Sequence, residues 1–411
     1  MWPLPPWAPS GHPSSYTPSQ PVQLRARGDA KVPNDAILLS TTSALAADNS
    51  SRLSTLSRKE CVLFYLSAAE ALQAAARLLR TNTGRPLLVT FGGGSHGWSD
   101  GVAASGLALG EERYACDVLT LRERSAATLA VLRLRRDEIA AVLVSPLQGV
   151  ASTASSSCEG YRSWLQSLRA VCTDNALPLM FDEGATGFRL AAGGAQEFFD
   201  ITADVVCYGR AAGGGLPLGV VCGPEGLLAG SEPHHLPMRA GGCAGGPVEH
   251  RALMASANAF LRALPDGTYT ARHARTAAWA AGVNAELITL NAPLRIVSEA
   301  SVWRLDFLRP SRHHFLFQAY LAAQGAKPVW ISPTRLGFGD SPTDDVPDAE
   351  LAALRAALVA AAAAMLADGW WAPLEEVGVR TDFAIRCQLV KEVAAGVVGR
   401  LFVAARARVV G

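Results

Sequence analysis

Between Cys61 and Tyr208 the sequence alternates short apolar runs with amphipathic stretches, and this alternation limits the fold more than any other feature. CVLFYL, PLLVTF, AAVLVSP, LPLMFDE and DVVCYG read as buried strands. AAEALQAAARLLR, ATLAVLRLRRDEI and YRSWLQSLRAVCTDN carry apolar residues at helical spacing. Strands linked by crossover helices lie parallel, and a parallel sheet needs cover on both faces. The pattern therefore predicts an α/β protein with a doubly wound, mostly parallel sheet. After a long helix near residues 271–290 the character changes. PLRIVS, VWRLDFL, HHFLFQAYLAAQG, KPVWIS and the Ala-rich DAELAALRAALVAAAAAMLADG predict a smaller C-terminal α+β domain. The expected division is a Pro/Ser-rich flexible arm over 1–35, a large α/β domain over 36–292, a small α+β domain over 293–372 and a C-terminal extension over 373–411.

Composition excludes several functions. A formal net charge of +1 and the absence of Lys/Arg runs give no electrostatic footprint for nucleic acid. The Ala-rich segment, read as a helix of about 17 residues carrying Arg355, is expected to be too short and interrupted for a bilayer and to pack instead, so no membrane is expected. The eight cysteines form no CxxC pair and several sit in apolar runs, which predicts inert core thiols, no metal site and a reducing, cytoplasmic setting. The arm has no secretory apolar core; with Arg25 and Arg27 and no acid before Asp29, it leaves organellar targeting open.

In an open parallel sheet, ligands bind beyond the carboxyl ends of the strands. Four such ends are informative. LMFDEG puts Asp182 and Glu183 at the end of a buried strand, where a carboxylate needs partners. FGGGSHGWSDG follows another strand with glycines and then Ser95, His96 and Gly97. YLSAAEA runs from strand into helix, so that backbone N–H groups around Ser67, Ala68 and Ala69 face an anion position. YGRAAGGG places Arg210 on a glycine-rich loop. Each residue taken alone also has an ordinary structural role, as a cap or a loop hydrogen bond.

Taken together, AAEALQAAARLLRTNTGR, GGGSHGWSDG, FDEGATGFRLAAGGAQEFF, YGRAAGGGLPLGVV and AGGCAGGP resemble the class III pyridoxal-phosphate-dependent aminotransferases of fold type I over residues 60 to about 370. The nearest branches are the glutamate-1-semialdehyde 2,1-aminomutases and the aminotransferase domains of polyketide and peptide synthases. The resemblance implies pyridoxal phosphate (PLP) as cofactor and a homodimer with sites at the subunit interface. It implies Asp182 as partner of the ring nitrogen, with Ser67, Ala68, Ala69, Ser95, His96, Gln148 and Gly242 at cofactor-contacting positions.

The same resemblance shows departures. Where the family has its Schiff-base lysine, this chain has Arg210, and a guanidinium with pKa above 12 supplies no neutral amine. Lysine occurs only at Lys31, Lys59, Lys327 and Lys391, none of them expected at the end of a central strand. The family's Ser-Gly-Thr-Glu-Ala is Ser67-Ala68-Ala69-Glu70-Ala71 here, without the threonine hydroxyl. The aromatic of its Tyr-His-Gly is Ser95, a loss of about 1 kcal/mol of stacking. The apolar residue two after the Asp is Gly184, the Thr that crosses the dimer is Gly242, and the Glu of its Glu-Pro pair is Ser145. These substitutions, at what read as independent contact points, predict a degenerate site, a pseudoenzyme that does not transaminate, with covalent PLP in doubt and no cofactor as an alternative. It would act as a structural or regulatory partner, as a homodimer or with an active relative. Two alternatives stand beside it: a divergent enzyme using Arg210 as a clamp for a small anion with His96 and Asp182 as acid and base, and a residual PLP-dependent transaminase or aminomutase.

Overall fold

The computed structural model describes residues 44–91, 96–97, 117–147, 158–228, 250–264, 269–308, 316–325, 331–332, 335–336 and 348–369. The arm over 1–35 and the extension over 373–411 lie outside these residues.

Among the described residues a seven-stranded sheet forms the centre, in the order β1 (Cys61–Tyr65), β7 (Gly219–Gly223), β6 (Val205–Tyr208), β5 (Leu179–Glu183), β4 (Ile139–Val144), β2 (Leu87–Phe91), β3 (Val118–Leu121). The pairs from β3 through β6 are parallel, while β7 runs antiparallel to both β6 and β1. The strands β1 through β6 therefore end at one edge of the sheet. This is the α/β, mostly parallel architecture that the alternation predicts. The edge strand β3 and the reversed β7 carry weak sequence signals: VLTL is four residues long, and GVVCG is framed by glycines.

Both faces are covered. On one, helix α2 (Ala68–Thr83) presses Ala71, Ala75, Leu78 and Leu79 onto Leu88, Leu143, Met180 and Val221. Its start follows from a capping box: Ser67 Oγ accepts the Glu70 N–H (3.2 Å), and Glu70 Oε2 accepts the Leu66 N–H (2.9 Å). Its end follows from Gly84 in the left-handed region (φ 65°). On the other face α1 (Ala44–Ser57), α4 (Cys158–Asp174) and α7 (Arg251–Arg262) contribute Leu53, Tyr161, Leu165 and Met254 to the core around Phe181, Val206 and Val220. Helix α1, which no clear apolar period announces, is fastened to α7 by Asn49 Nδ2 to Met254 O (2.8 Å) and Asn258 Nδ2 to Asn49 Oδ1 (2.9 Å). Between them in the chain lie α3 (Ala126–Leu134), the six-residue α5 (Gly194–Phe199) and α6 (Glu225–Leu228).

A second sheet, β10 (Ile331–Ser332), β11 (Arg335–Leu336), β9 (Val302–Phe307), β8 (Leu294–Glu299), is antiparallel throughout. Its core takes Trp279, Val283 and Leu287 from α8 (Tyr269–Thr289), Phe317 and Leu321 from α9 (Phe317–Ala323), and Leu358, Ala361 and Met365 from α10 (Asp348–Ala367). Helix α10 corrects the sequence reading of about 17 residues. It runs unbroken for 20 residues and is long and apolar enough to cross a membrane by length and composition. Here it packs against α8 and α9, and its Arg355 pairs with Glu286 of α8.

The cysteines among the described residues follow the core reading. Cys172, Cys207 and Cys222 are buried and Cys61 is half-buried, all as free thiols. Burial pushes the thiols of Cys172 and Cys222 up to about 12, far from the reactive range. No cluster of metal-ligating side chains occurs among the described residues.

Candidate active site at the carboxyl edge of the sheet

The topology brings the strand-end motifs to a common edge. Asp182, fourth residue of β5, is buried, and both its oxygens are engaged: Oδ1 accepts the Gly184 N–H (3.0 Å) and Oδ2 lies 2.8 Å from Nδ1 of buried His96. Against a carboxylate, which only accepts, the Nδ1 edge of the imidazole is the donor. The backbone carbonyl of Asp182 accepts from Ser145 Oγ (3.3 Å), just beyond β4. His96 reaches this position because its neighbour Gly97 (φ 97°) lies against α2; a Cβ there would meet the Cβ of Ala69 at 2.9 Å.

The start of α2 completes one wall. The N–H groups of Ala68 and Ala69, in its first turn, have no intrahelical acceptor, while Ser67 Oγ is engaged in the cap. The methyl of Ala68 faces Gly184 and Gly209: a Cβ built on either would lie 3.7 or 3.3 Å from it. Positions 68 and 184, far apart in the sequence, are therefore neighbours. Beyond β6 the backbone of Arg210 opens a short 3-10 turn through Gly213, held by Ala212 N–H to Gly209 O (2.9 Å) and by Ser256 Oγ of α7 to Gly213 O (2.8 Å). Ser95, Gln148 and Gly242 lie outside the described residues.

Glu183, next to Asp182, points to the opposite face and serves the loop that follows. Its two oxygens accept the Ala195 N–H (2.9 and 2.8 Å), Thr186 Oγ1 stands 3.4 Å away, and the Gly187 N–H returns to Glu183 O (2.9 Å). Burial pushes its carboxyl up to about 8, against the N–H donors of Ala195 and Gln196. Outside the clamp, Tyr269 Oη donates to Phe188 O (3.2 Å) and Ser301 Oγ to Arg189 O (2.6 Å), so the GATGFR segment also holds the second sheet and α8. The sequence marks Glu183 as a carboxylate in need of partners, but not that the partner lies twelve residues on.

Lys59 is the one lysine among the described residues. It precedes β1 and is thus at the amino edge, where burial pulls its ammonium below the usual range while Asp204, just before β6, acts the other way. A strand of five residues separates the edges by roughly 15 Å.

A seven-stranded, mostly parallel sheet with a buried Asp at the end of its central strand and a helix start beside it has the α/β fold of the PLP-dependent aminotransferases. The chain belongs to the class-III aminotransferases, whose family model matches residues 32–280, more than half of it. It is 37% identical over 216 residues to a glutamate-1-semialdehyde 2,1-aminomutase of Hydrogenobaculum sp. (strain Y04AAS1), covering 49% of each protein. It is 31% identical over 296 residues to the aminomutase of Nitratidesulfovibrio vulgaris, covering 67% of this chain and 68% of that one. The chain thus spans about half of the first relative and about two thirds of the second. A lysine-to-alanine variant of a glutamate-1-semialdehyde aminomutase from Pseudomonas aeruginosa PAO1, described in complex with PMP, has the same fold. The TM-score is 0.62 at 21% identity, over 78% of this chain and 77% of that one.

Proposed function

We propose that this chain is a class-III aminotransferase in fold whose site has lost covalent cofactor attachment, and that it does not carry out ordinary transamination. The reading rests on one observation: the turn after β6 begins with an arginine, and the lysine among the described residues stands at the opposite edge of the sheet. When bound in an active relative, PLP supplies the electron sink for chemistry at an amine-bearing carbon. Here the donor set fits the two ends of such a group and not its aldehyde. Asp182, oriented by His96 and the Gly184 N–H, suits a protonated ring nitrogen, and the Ala68 and Ala69 N–H groups suit a phosphate. A guanidinium offers no neutral amine to the carbonyl carbon.

The remaining expectations belong to the same reading. Ser67, Ala68, Ala69, Ser95, Gln148 and Gly242 are assigned to the cofactor side of the site. The large unit over 36–292 carries that site and the small unit over 293–372 flanks it. The working form is a dimer, with itself or with an active relative, in the cytoplasm, with a structural or regulatory role. The intact Asp182–His96 pair favours a second reading, a divergent enzyme that holds the amine form of the cofactor or another small anion without a covalent bond. PMP held by a variant lacking its lysine is the parallel in the Pseudomonas protein.

The test is to incubate the full chain with PLP, reduce with borohydride and weigh the intact protein. An unchanged mass is expected, and Arg210→Lys is expected not to recover transaminase activity, because the threonine hydroxyl and stacking aromatic stay absent. A trapped adduct on the unaltered chain would overturn the proposal. Protection of the Asp182 region from hydrogen exchange by added PMP, with no adduct, selects the second reading.

A further inference from the structure

Beyond β3, at the same edge of the sheet, the chain turns through Arg122, Glu123, Arg124 and Ser125 into α3. Arg124 sits in the left-handed region (φ 57°), a conformation that costs an L-residue energy and that glycine would take freely. The turn is fixed by Thr128 Oγ1 to Arg122 O (2.6 Å) and Thr128 N–H to Ser125 O (3.2 Å). It carries the guanidinium of Arg124 over the face of Tyr161, 5.0 Å from the ring centroid. Stacking engages the face of the guanidinium and leaves its in-plane N–H edge free. On that edge Nε and Nη2 are buried and have no hydrogen-bond acceptor among the described residues.

Those two nitrogens form the side-on fork of arginine, whose parallel N–H bonds match the two oxygens of a carboxylate. A buried charged donor is costly to leave unpaired, so a fork without an acceptor is a strong preference for an anion. The surroundings are largely aromatic. Tyr161 packs on Trp164 (centroids 5.7 Å apart), and Trp164 on Phe91 (5.4 Å). Trp164 Nε1 is a further buried N–H with no acceptor among the described residues. Glu123 is the acid nearest in sequence, and its Oε1 accepts from Tyr161 Oη (3.4 Å). Tyr161 Oη in turn accepts the Leu147 N–H (3.3 Å), two residues past Ser145, whose hydroxyl touches the Asp182 carbonyl. The fork therefore lies at the same carboxyl edge of the sheet as Asp182, on the opposite face, the one that carries α4.

We propose that Arg124 is a carboxylate-anchoring residue, taking a small organic acid side-on through Nε and Nη2 at the carboxyl edge of the sheet, on the face that carries α4. The proposal goes beyond the reading of residue 210 and does not depend on it, since no cofactor attachment enters the argument.

The experiment follows thermal unfolding of the full chain in a titration with sodium succinate, against sodium chloride at matched ionic strength and against inorganic phosphate. A saturable rise in Tm with succinate, over and above chloride, is expected. Arg124→Met should abolish the rise and, because it removes an unpaired buried charge, should unfold no lower than the unaltered protein without ligand. Arg124→Lys keeps the charge but not the fork, and should weaken succinate by about tenfold or more. Three results would overturn the proposal. One is no succinate effect on the unaltered chain. Another is an equal effect in both variants, which would put the anion elsewhere, for instance at Arg210. The third is a response to phosphate alone. A sharp loss of stability in Arg124→Met with no succinate effect on the unaltered chain would make Arg124 a packing residue.

Discussion

Replacing Glu183 with glutamine is expected to flatten the dependence of stability on pH. The side chain is 1% exposed, and two influences compete on it: removal from water favours the neutral acid, while the N–H groups of Ala195 and Gln196 favour the carboxylate. Burial prevails, moving the acid from 4.5 to about 8. The folded chain then holds this proton to higher pH than the unfolded chain does. Its contribution is present in full below about pH 4.5, falls as pH rises, and is gone once pH passes about 8. At 1.36 kcal/mol for each unit, the loss across that window is on the order of 5 kcal/mol. Glu183→Gln keeps the shape and removes the titration. It carries a constant cost of about 1–2 kcal/mol, because one amide atom facing the Ala195 N–H no longer accepts. Urea unfolding of both proteins at several pH values between 5 and 9 measures the difference, which should be largest at low pH and shrink or reverse at high pH. Parallel curves would refute the reasoning. They would mean that the backbone donors hold the group ionised throughout and that burial is the lesser influence.

Two further perturbations probe the same architecture. Gly194→Ala forces a Cβ to within 2.6 Å of both Glu183 carboxylate oxygens at a left-handed residue (φ 73°), and should cost about 3 kcal/mol or more in urea unfolding; a change under about 1 kcal/mol would mean that the clamp yields freely. Ser67→Ala removes the acceptor for the Glu70 N–H at the start of α2 and should lower stability by about 1 kcal/mol by the same assay, while Ser67→Asp, which restores a capping oxygen, should recover most of it.

What could be read from the sequence divides along a physical line. Strands β2, β4, β5 and β6 are fully buried apolar runs because both faces of a parallel sheet are covered, and such runs, like the apolar edge strand β1, are visible without a structure. Helix α2 announces itself by Ser67, Glu70 and Gly84, each acting within a few residues. The features that escaped depend on long-range partners. Helix α1 gains its place from Asn258 and Met254, more than two hundred residues away. The anchor at Arg124 depends on Tyr161, which no local pattern around LRERSAATL links to it. At the site the chemistry of Asp182 and His96 was legible as motif, but that His96 stands behind the carboxylate at 2.8 Å was not.

The geometry also changes how the departures from the family pattern weigh against one another. Read along the sequence, Ala68 at the family's glycine position and Gly184 at its apolar position are two separate departures. In space, a side chain built on Gly184 begins 3.0 Å from Asp182 Oδ1 and 3.7 Å from the methyl of Ala68, so both positions border one small volume beside the carboxylate. The methyl of Ala68 and the bare Gly184 share that volume, and close packing couples what the two positions can hold. Those two positions therefore count as one event, a repacking of the space next to Asp182. The arginine at 210 has no such compensation, because no exchange of volume turns a guanidinium into a neutral amine. The weight of the proposed function accordingly falls on residue 210, and the Asp182–His96 pair, joined at 2.8 Å, does not bear on it.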